Sequence, residues 1–235
     1  MPSIGEFTRS FAAITGTDFG SVLKIQRLLR DAGLLTSGAR GVNAPDLTPL
    51  DAARMLIAIL VTDKPSLAAA AVTEFGQLPW ADNGTSETPT TEGAVFSGLT
   101  AAMSFEATLA GVIEGAAYSP LEHHDLLARN LRLSCIPTEL TAAMSWRDGW
   151  SHFSAGGPWM HLLEDREGNA DRLSEIVAEQ DAARERAVVF SGYSYRIKTT
   201  REIGGDLLID VSNLFRASSA QLPRRALSPN YELAG

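Results

Sequence analysis

The segment Thr48-Pro49-Leu50-Asp51 fixes where a helix must begin, and with it the reading of the whole stretch from Thr17 to Leu60. Thr48 suits an N-cap because its hydroxyl accepts a backbone N–H that would otherwise be unpaired. Pro49 at the first helical position lacks a donor where none is needed. Asp51, three residues after the cap, can return a bond in the manner of a capping box. Leu50, Ala53, Met55, Leu56, Ile57, Ile59 and Leu60 then make that helix largely buried.

A second helix precedes it, over residues 21–32, with Asp18 or Ser21 as cap. At about 100° per residue, Val22, Ile25, Leu28, Leu29 and Ala32 fall on one side. Lys24, Arg27, Arg30 and Asp31 gather on the other, with Gln26 at the border. Gly33 supplies the left-handed position that ends a helix, and Leu34-Leu35 turn back toward the core. Between the two helices lies TSGARGVNAPD, residues 36–46. Two glycines, Asn43 and Pro45 forbid regular structure there and allow a tight excursion carrying Arg40.

This order of parts resembles the winged helix-turn-helix head of MerR-type and excisionase-type proteins. Phe11-Ala12-Ala13-Ile14-Thr15-Gly16 matches the short first helix, and Ile25 to Leu35 matches the helix that enters the groove. Thr36 to Asp46 takes the place of the wing, and Leu47 to Leu60 that of the helix after it. The chain as a whole resembles helix-turn-helix proteins of alphaproteobacterial prophages and gene-transfer-agent clusters. The resemblance implies a sequence-specific, double-stranded DNA-binding transcription regulator. Gln26, Arg27 and Arg30 would meet base edges, since Arg pairs with guanine and Gln with adenine. Lys24 and Arg40 would contact phosphate, with Arg40 and Asn43 on the wing. A homodimer is expected, with RNA polymerase or another regulator as a further partner.

Charge distribution bears on this more than net charge does. The total is -8, which argues against a non-specific nucleic-acid coat, because such binding depends on neutralising phosphates. Residues 1–60 carry six basic and five acidic groups, residues 61–190 eight and nineteen, and residues 191–235 six and four. The two ends can approach a phosphate backbone; the middle is expected to be a solvated acidic surface. A single cysteine, Cys135, excludes an internal disulfide and fits a reducing cytoplasm. No export signal opens the chain, and the longest apolar run, Met55 to Val61, is too short to span a bilayer. The expectation is a cytoplasmic protein with no membrane partner.

Three further segments complete the expected organisation. Residues 63–93 read as a linker with a short Ala-rich helix (67–75) followed by the polar run WADNGTSETPTTEG. Residues 94–217 read as an α+β domain for dimerisation or partner binding, and 218–235 as a loose tail. Within 94–217, a helix to Ala117 would bury Val95, Leu99, Met103, Leu109 and Ile113 and leave Glu106 and Glu114 more exposed. Leu131 to Cys135 alternates like a strand, with Thr141 to Trp146 as its hairpin partner. Trp150, Phe153 and Trp159 suggest an irregular aromatic patch. Residues 162–186 form a charged helix or pair of helices, with Leu163, Leu173, Ile176 and Val177 as the apolar minority. Val188 to Lys198 is rich in β-branched and aromatic residues and reads as a strand; a last helix then starts near Thr199. The fold class is α+β, mainly helical, with a winged helix-turn-helix at residues 1–62 and a small antiparallel sheet.

The sequence carries no signature of catalysis. His123-His124-Asp125 has no HExxH motif, CxxC pair or second histidine pair beside it, so surface histidines are expected rather than a metal site. Cys135 sits in an apolar alternation and reads as a buried, inert thiol. The serines lack a GxSxG elbow, and the Gly-Gly pairs at 156–157 and 204–205 make no phosphate loop. Tyr193, Tyr195, Arg196 and Lys198 on one strand invite a stacking platform for single-stranded nucleic acid, but core packing explains the two tyrosines as well. No enzyme activity, metal or cofactor is expected. The alternative to a regulator is a structural or adaptor component of a phage-like particle or protein complex.

Overall fold

In a computed structural model, residues 4–36, 47–85, 104–118, 124, 128–146, 149–157, 162, 166–191 and 200–219 are described. Two short helices open the chain, α1 (Ile4–Thr15) and α2 (Phe19–Asp31). Both end by the same device. Gly16 and Gly33 adopt positive φ (64° and 72°), and the next N–H reaches back five residues, Thr17 to Ala12 and Leu34 to Leu29. The Asp18 carboxylate caps α2 by accepting the Ser21 N–H at 2.9 Å.

Helix α3 (Pro49–Val61) starts at Thr48 with the reciprocal bonds that the sequence predicts. The Asp51 carboxylate does more than close that capping box. One oxygen accepts the Thr48 N–H at 2.7 Å, and the other accepts the Thr36 N–H at 2.7 Å. Both stems of the 37–46 segment are thereby tied to a single buried acid. One turn along α3, Arg54 donates to the Leu34 carbonyl at 2.7 Å and forks onto Glu106 at 2.9 and 3.0 Å. Gln77 adds a third bond to Glu106 at 2.8 Å. Pairing with Glu106 holds the Arg54 guanidinium above its ordinary range, against the opposing effect of burial.

Glu106 lies on α5 (Phe105–Tyr118), which packs along α3. Its carboxylate is buried, not exposed as expected, because it is the counter-ion of Arg54. Room for it comes from Gly76, the last residue of α4 (Ala68–Gly76), where an added Cβ would stand 2.7 Å from Glu106 Oε2. A 3-10 turn (Pro65–Leu67) leads into α4. Of the apolar stripe expected on α5, Leu109 and Ile113 are buried; Val95, Leu99 and Met103 lie outside the described residues.

The fold is α+β, mostly helical, with one small antiparallel sheet. Its five strands are β1 (Trp80–Thr85), β2 (Arg132–Ile136), β3 (Thr141–Trp146), β4 (Gly149–Ser154) and β5 (Arg201–Gly204), in the order β1-β4-β3-β2-β5. The β2–β3 hairpin matches the expected pairing, with Leu133 opposite Met144. Leu133, Cys135, Ala142, Met144 and Phe153 face the helices, and Phe153 meets Phe105 with ring centroids 5.3 Å apart. The first and last described helices also meet: Phe7 stacks on Phe11 and touches Phe215 of α7 (Gly205–Ser219). One hydrophobic cluster runs from Phe7 to Phe215, through residues on both sides of the segment read as a linker. That segment itself supplies α4 and β1.

Three sequence expectations are corrected. The aromatic patch around Trp150 and Phe153 is strand β4. Those two residues are three apart, so they lie on opposite faces and hide the alternation. The strand expected from Val188 is helical through Ser191, because α6 (Ala170–Ser191) continues without a break and its local helical bonding overrides β-propensity. The rest of that expected strand, with Tyr193, Tyr195, Arg196 and Lys198, lies outside the described residues. Arg201 to Gly204, read as the start of a helix, instead adds an edge strand beside β2 with Arg201 opposite Cys135.

Removing Asp51 or Glu106 strands the donors they pair. Asp51→Ala and Glu106→Ala are each expected to lower unfolding stability by about 2–4 kcal/mol. Gly76→Ala is expected to cost about 1–3 kcal/mol by pressing on Glu106. Urea denaturation with a constant slope checks all three, and changes below about 0.5 kcal/mol would contradict the network.

Candidate nucleic-acid interface

Lys24, Arg27 and Arg30 are all exposed on α2. Val22, Ile25 and Leu29 form the buried side. Taking about 100° per residue, Arg27 stands near the middle of the exposed arc, with Lys24 and Arg30 about 60° to either side. Arg30, in the last turn, also suits the negative end of the helix dipole. Several cations elsewhere are neutralised: Arg54 by Glu106, Arg132 by Glu202, Arg186 by Glu74 and Arg201 by Asp63. Among the described residues, Lys24, Arg27 and Arg30 take no ion-pair partner. Their charge is therefore available to an outside phosphate.

Gln26 departs from the sequence reading. It is only 4% exposed, because its border position falls on the packed side of α2. Its Nε2 has no hydrogen-bond partner. A side chain so placed does not reach a base edge, and Gln26 leaves the site. Arg40 and Asn43 lie outside the described residues, as does nearly all of the expected wing. What is described is its base, where Thr36 and Thr48 meet on Asp51. Phe19, 44% exposed at the start of α2, is a surface group that sequence reasoning passed over. Three turns separate it from Arg30, which puts the two side chains on nearly the same azimuth. An exposed aromatic at a helix start carries no periodic signal, since its position fits either face.

The other candidate groups also find their places. His124 is buried rather than on the surface, with Nε2 3.0 Å from the Ala116 carbonyl and 3.2 Å from Arg216 Nη1. Its neighbours His123 and Asp125 lie outside the described residues. Among the described residues no group of three or more His, Cys, Asp or Glu converges as a metal site. Burial pushes the Cys135 thiol up to about 12, with nearby Arg201 acting in the opposite direction. No helix among the described residues is long and apolar enough to cross a membrane.

No family model matches the chain, and neither a curated protein nor a solved structure is similar to it.

Two consequences are measurable. Gln26→Leu removes an unpartnered buried amide and keeps its bulk, so stability should be unchanged or higher by up to about 1–2 kcal/mol; a loss above about 1 kcal/mol would mean that the amide is bonded. For Cys135 the folded thiol titrates near 12 and the unfolded one near 9. Its contribution to stability is complete below pH 9 and is lost as pH rises from there toward 12. The native protein should resist thiol reagents at pH 8 and react only on unfolding.

Proposed function

We propose that this chain is a sequence-specific double-stranded DNA-binding regulator that places α2 in the major groove. The observation that carries the reading is the arc of Lys24, Arg27 and Arg30, exposed and without ion pairs in a protein of net charge -8. The second support is the arrangement after α2. A helix stop, a segment clamped at both stems by Asp51, and a capped helix follow in the order a winged helix-turn-helix uses. Arg27 and Arg30 read base edges, and Lys24 holds phosphate. Arg40 and Asn43 belong to the same reading as wing residues. Three cations per head give little affinity, so the regulator acts as a homodimer or beside RNA polymerase or another regulator. The sequence resemblance supports a prophage or gene-transfer-agent origin, and the single cysteine, Cys135, supports a cytoplasmic setting.

A second reading has its own observation. The outward side of α6 carries Asp171, Glu175, Glu179 and Glu185, and Val177, at the border of that side, is 55% exposed. An acidic helix face with an exposed apolar residue at its border suits a protein partner, as a structural or adaptor component of a phage-like particle would need.

In vitro selection from a random duplex library separates the two readings. The wild-type chain is expected to enrich one motif, and Arg27→Ala is expected to weaken binding to it by about 1–3 kcal/mol. Lys24→Ala should weaken all sequences alike and reduce the salt slope by about one. Failure to enrich any sequence, or equal affinity of all three proteins, would favour the adaptor reading.

A further inference from the structure

Helix α2 exposes one large apolar side chain. Phe19, its first residue, is 44% exposed. A lone aromatic on a surface is ordinary, but this one shares its side of the helix with free cations. At about 100° per residue, Phe19, Leu23, Arg27 and Arg30 fall within about 80° of one another and form one stripe. Leu23 is half-buried, and both arginines are exposed. Arg27 and Arg30 take no ion-pair partner among the described residues. Gly20, also exposed, sets no side chain next to the ring; a Cβ there would stand 3.1 Å from Asp18 Oδ2. The Asp18 carboxylate is itself engaged in the helix cap, where it accepts the Ser21 N–H at 2.9 Å.

We propose that Phe19 is a specificity-determining residue of the DNA interface, which reads a thymine through its 5-methyl group. The inference rests on the reading that places α2 in the major groove, and it adds to that reading a base that the cations do not choose.

The chemistry of the groove selects the base. Guanine, cytosine and adenine present donors and acceptors in the major groove, and thymine adds a methyl group to its acceptor. A phenyl ring can neither donate nor accept a conventional hydrogen bond. Set against N7, O6 or an exocyclic amine, it strips water from a polar atom and returns no bond. Set against the thymine methyl, it buries apolar area on both sides.

Position along the helix selects the residue. In helix-turn-helix docking it is the N-terminal part of the groove helix that meets base edges, and Phe19 opens α2. Spacing then relates its base to the one read by Arg27. At about 1.5 Å per residue the two side chains start about 12 Å apart along the axis. With base pairs about 3.4 Å apart, that span covers at most about four pairs. The expected half-site therefore holds a thymine within about four pairs of the guanine that Arg27 takes.

Duplexes of the motif selected by the wild-type chain test this, with each thymine replaced in turn by deoxyuridine, which lacks only the 5-methyl group. For the wild type, one such replacement is expected to weaken binding about fourfold, the worth of one buried methyl. Phe19→Leu keeps an apolar contact and should keep the response. Phe19→Ala should lose it while every other position of the motif retains its preference, which shows that the head is folded. A motif in which no thymine responds, a response that survives in Phe19→Ala, or equal loss at every position in both variants would overturn the role of Phe19 and leave the DNA-binding reading standing. A wild-type chain that selects no motif would overturn that reading and this inference together.

Discussion

Asp51 and Arg54, one turn apart on α3, hold together what would otherwise be three independent pieces. The carboxylate gathers the N–H groups of Thr36 and Thr48, and the guanidinium gathers the Leu34 carbonyl and Glu106. The end of α2, the start of α3 and the start of α5 are thus fixed around one short stretch of helix. Asp51 and Glu106 are buried, so each bond forms in a low-dielectric setting where an unpaired partner is expensive. Geometry at this point follows from electrostatic necessity more than from helix propensity. The direction in which α2 presents its cations depends on it.

Around that junction the described residues share one hydrophobic cluster. Phe7 and Phe11 bring the first helix to Phe215 on the last, and Phe105 brings the α5 start to Phe153 in the sheet. Helix α6 is attached differently. Leu173, Ile176, Gln180, Ala183 and Ala187 repeat at three- and four-residue intervals, the narrow seam of a helix that is mostly solvated. Of these, Ile176, Ala183 and Ala187 are buried. So narrow a seam buries little apolar area.

The parts legible in the sequence were those with local chemistry. The capping box at Thr48, the stop at Gly33 and the alternation over residues 132–136 each involve residues within a few positions of one another. Glu106 was misread because its partner, Arg54, is fifty-two positions away and no periodicity announces it. Gln26 was misread for a related reason: a residue at the edge of a helical face falls inward or outward according to what packs there. In β4, Trp150 and Phe153 concealed a strand by sitting on opposite faces. Val188 to Ser191 favoured a strand locally, and the long helix before them decided otherwise. Of the interface, the cation arc could be read from spacing alone; its freedom from ion pairs could not.

The proposed function rests on three exposed cations of one short helix, Lys24, Arg27 and Arg30, that take no ion-pair partner among the described residues. Chromatin immunoprecipitation of the tagged protein, compared with Arg27→Ala/Arg30→Ala, tests that claim most directly. The account predicts discrete genomic peaks for the wild type that disappear in the double variant while its abundance and fold are unchanged. Peaks that persist in the variant, or an abundant folded wild type that gives none, would contradict it.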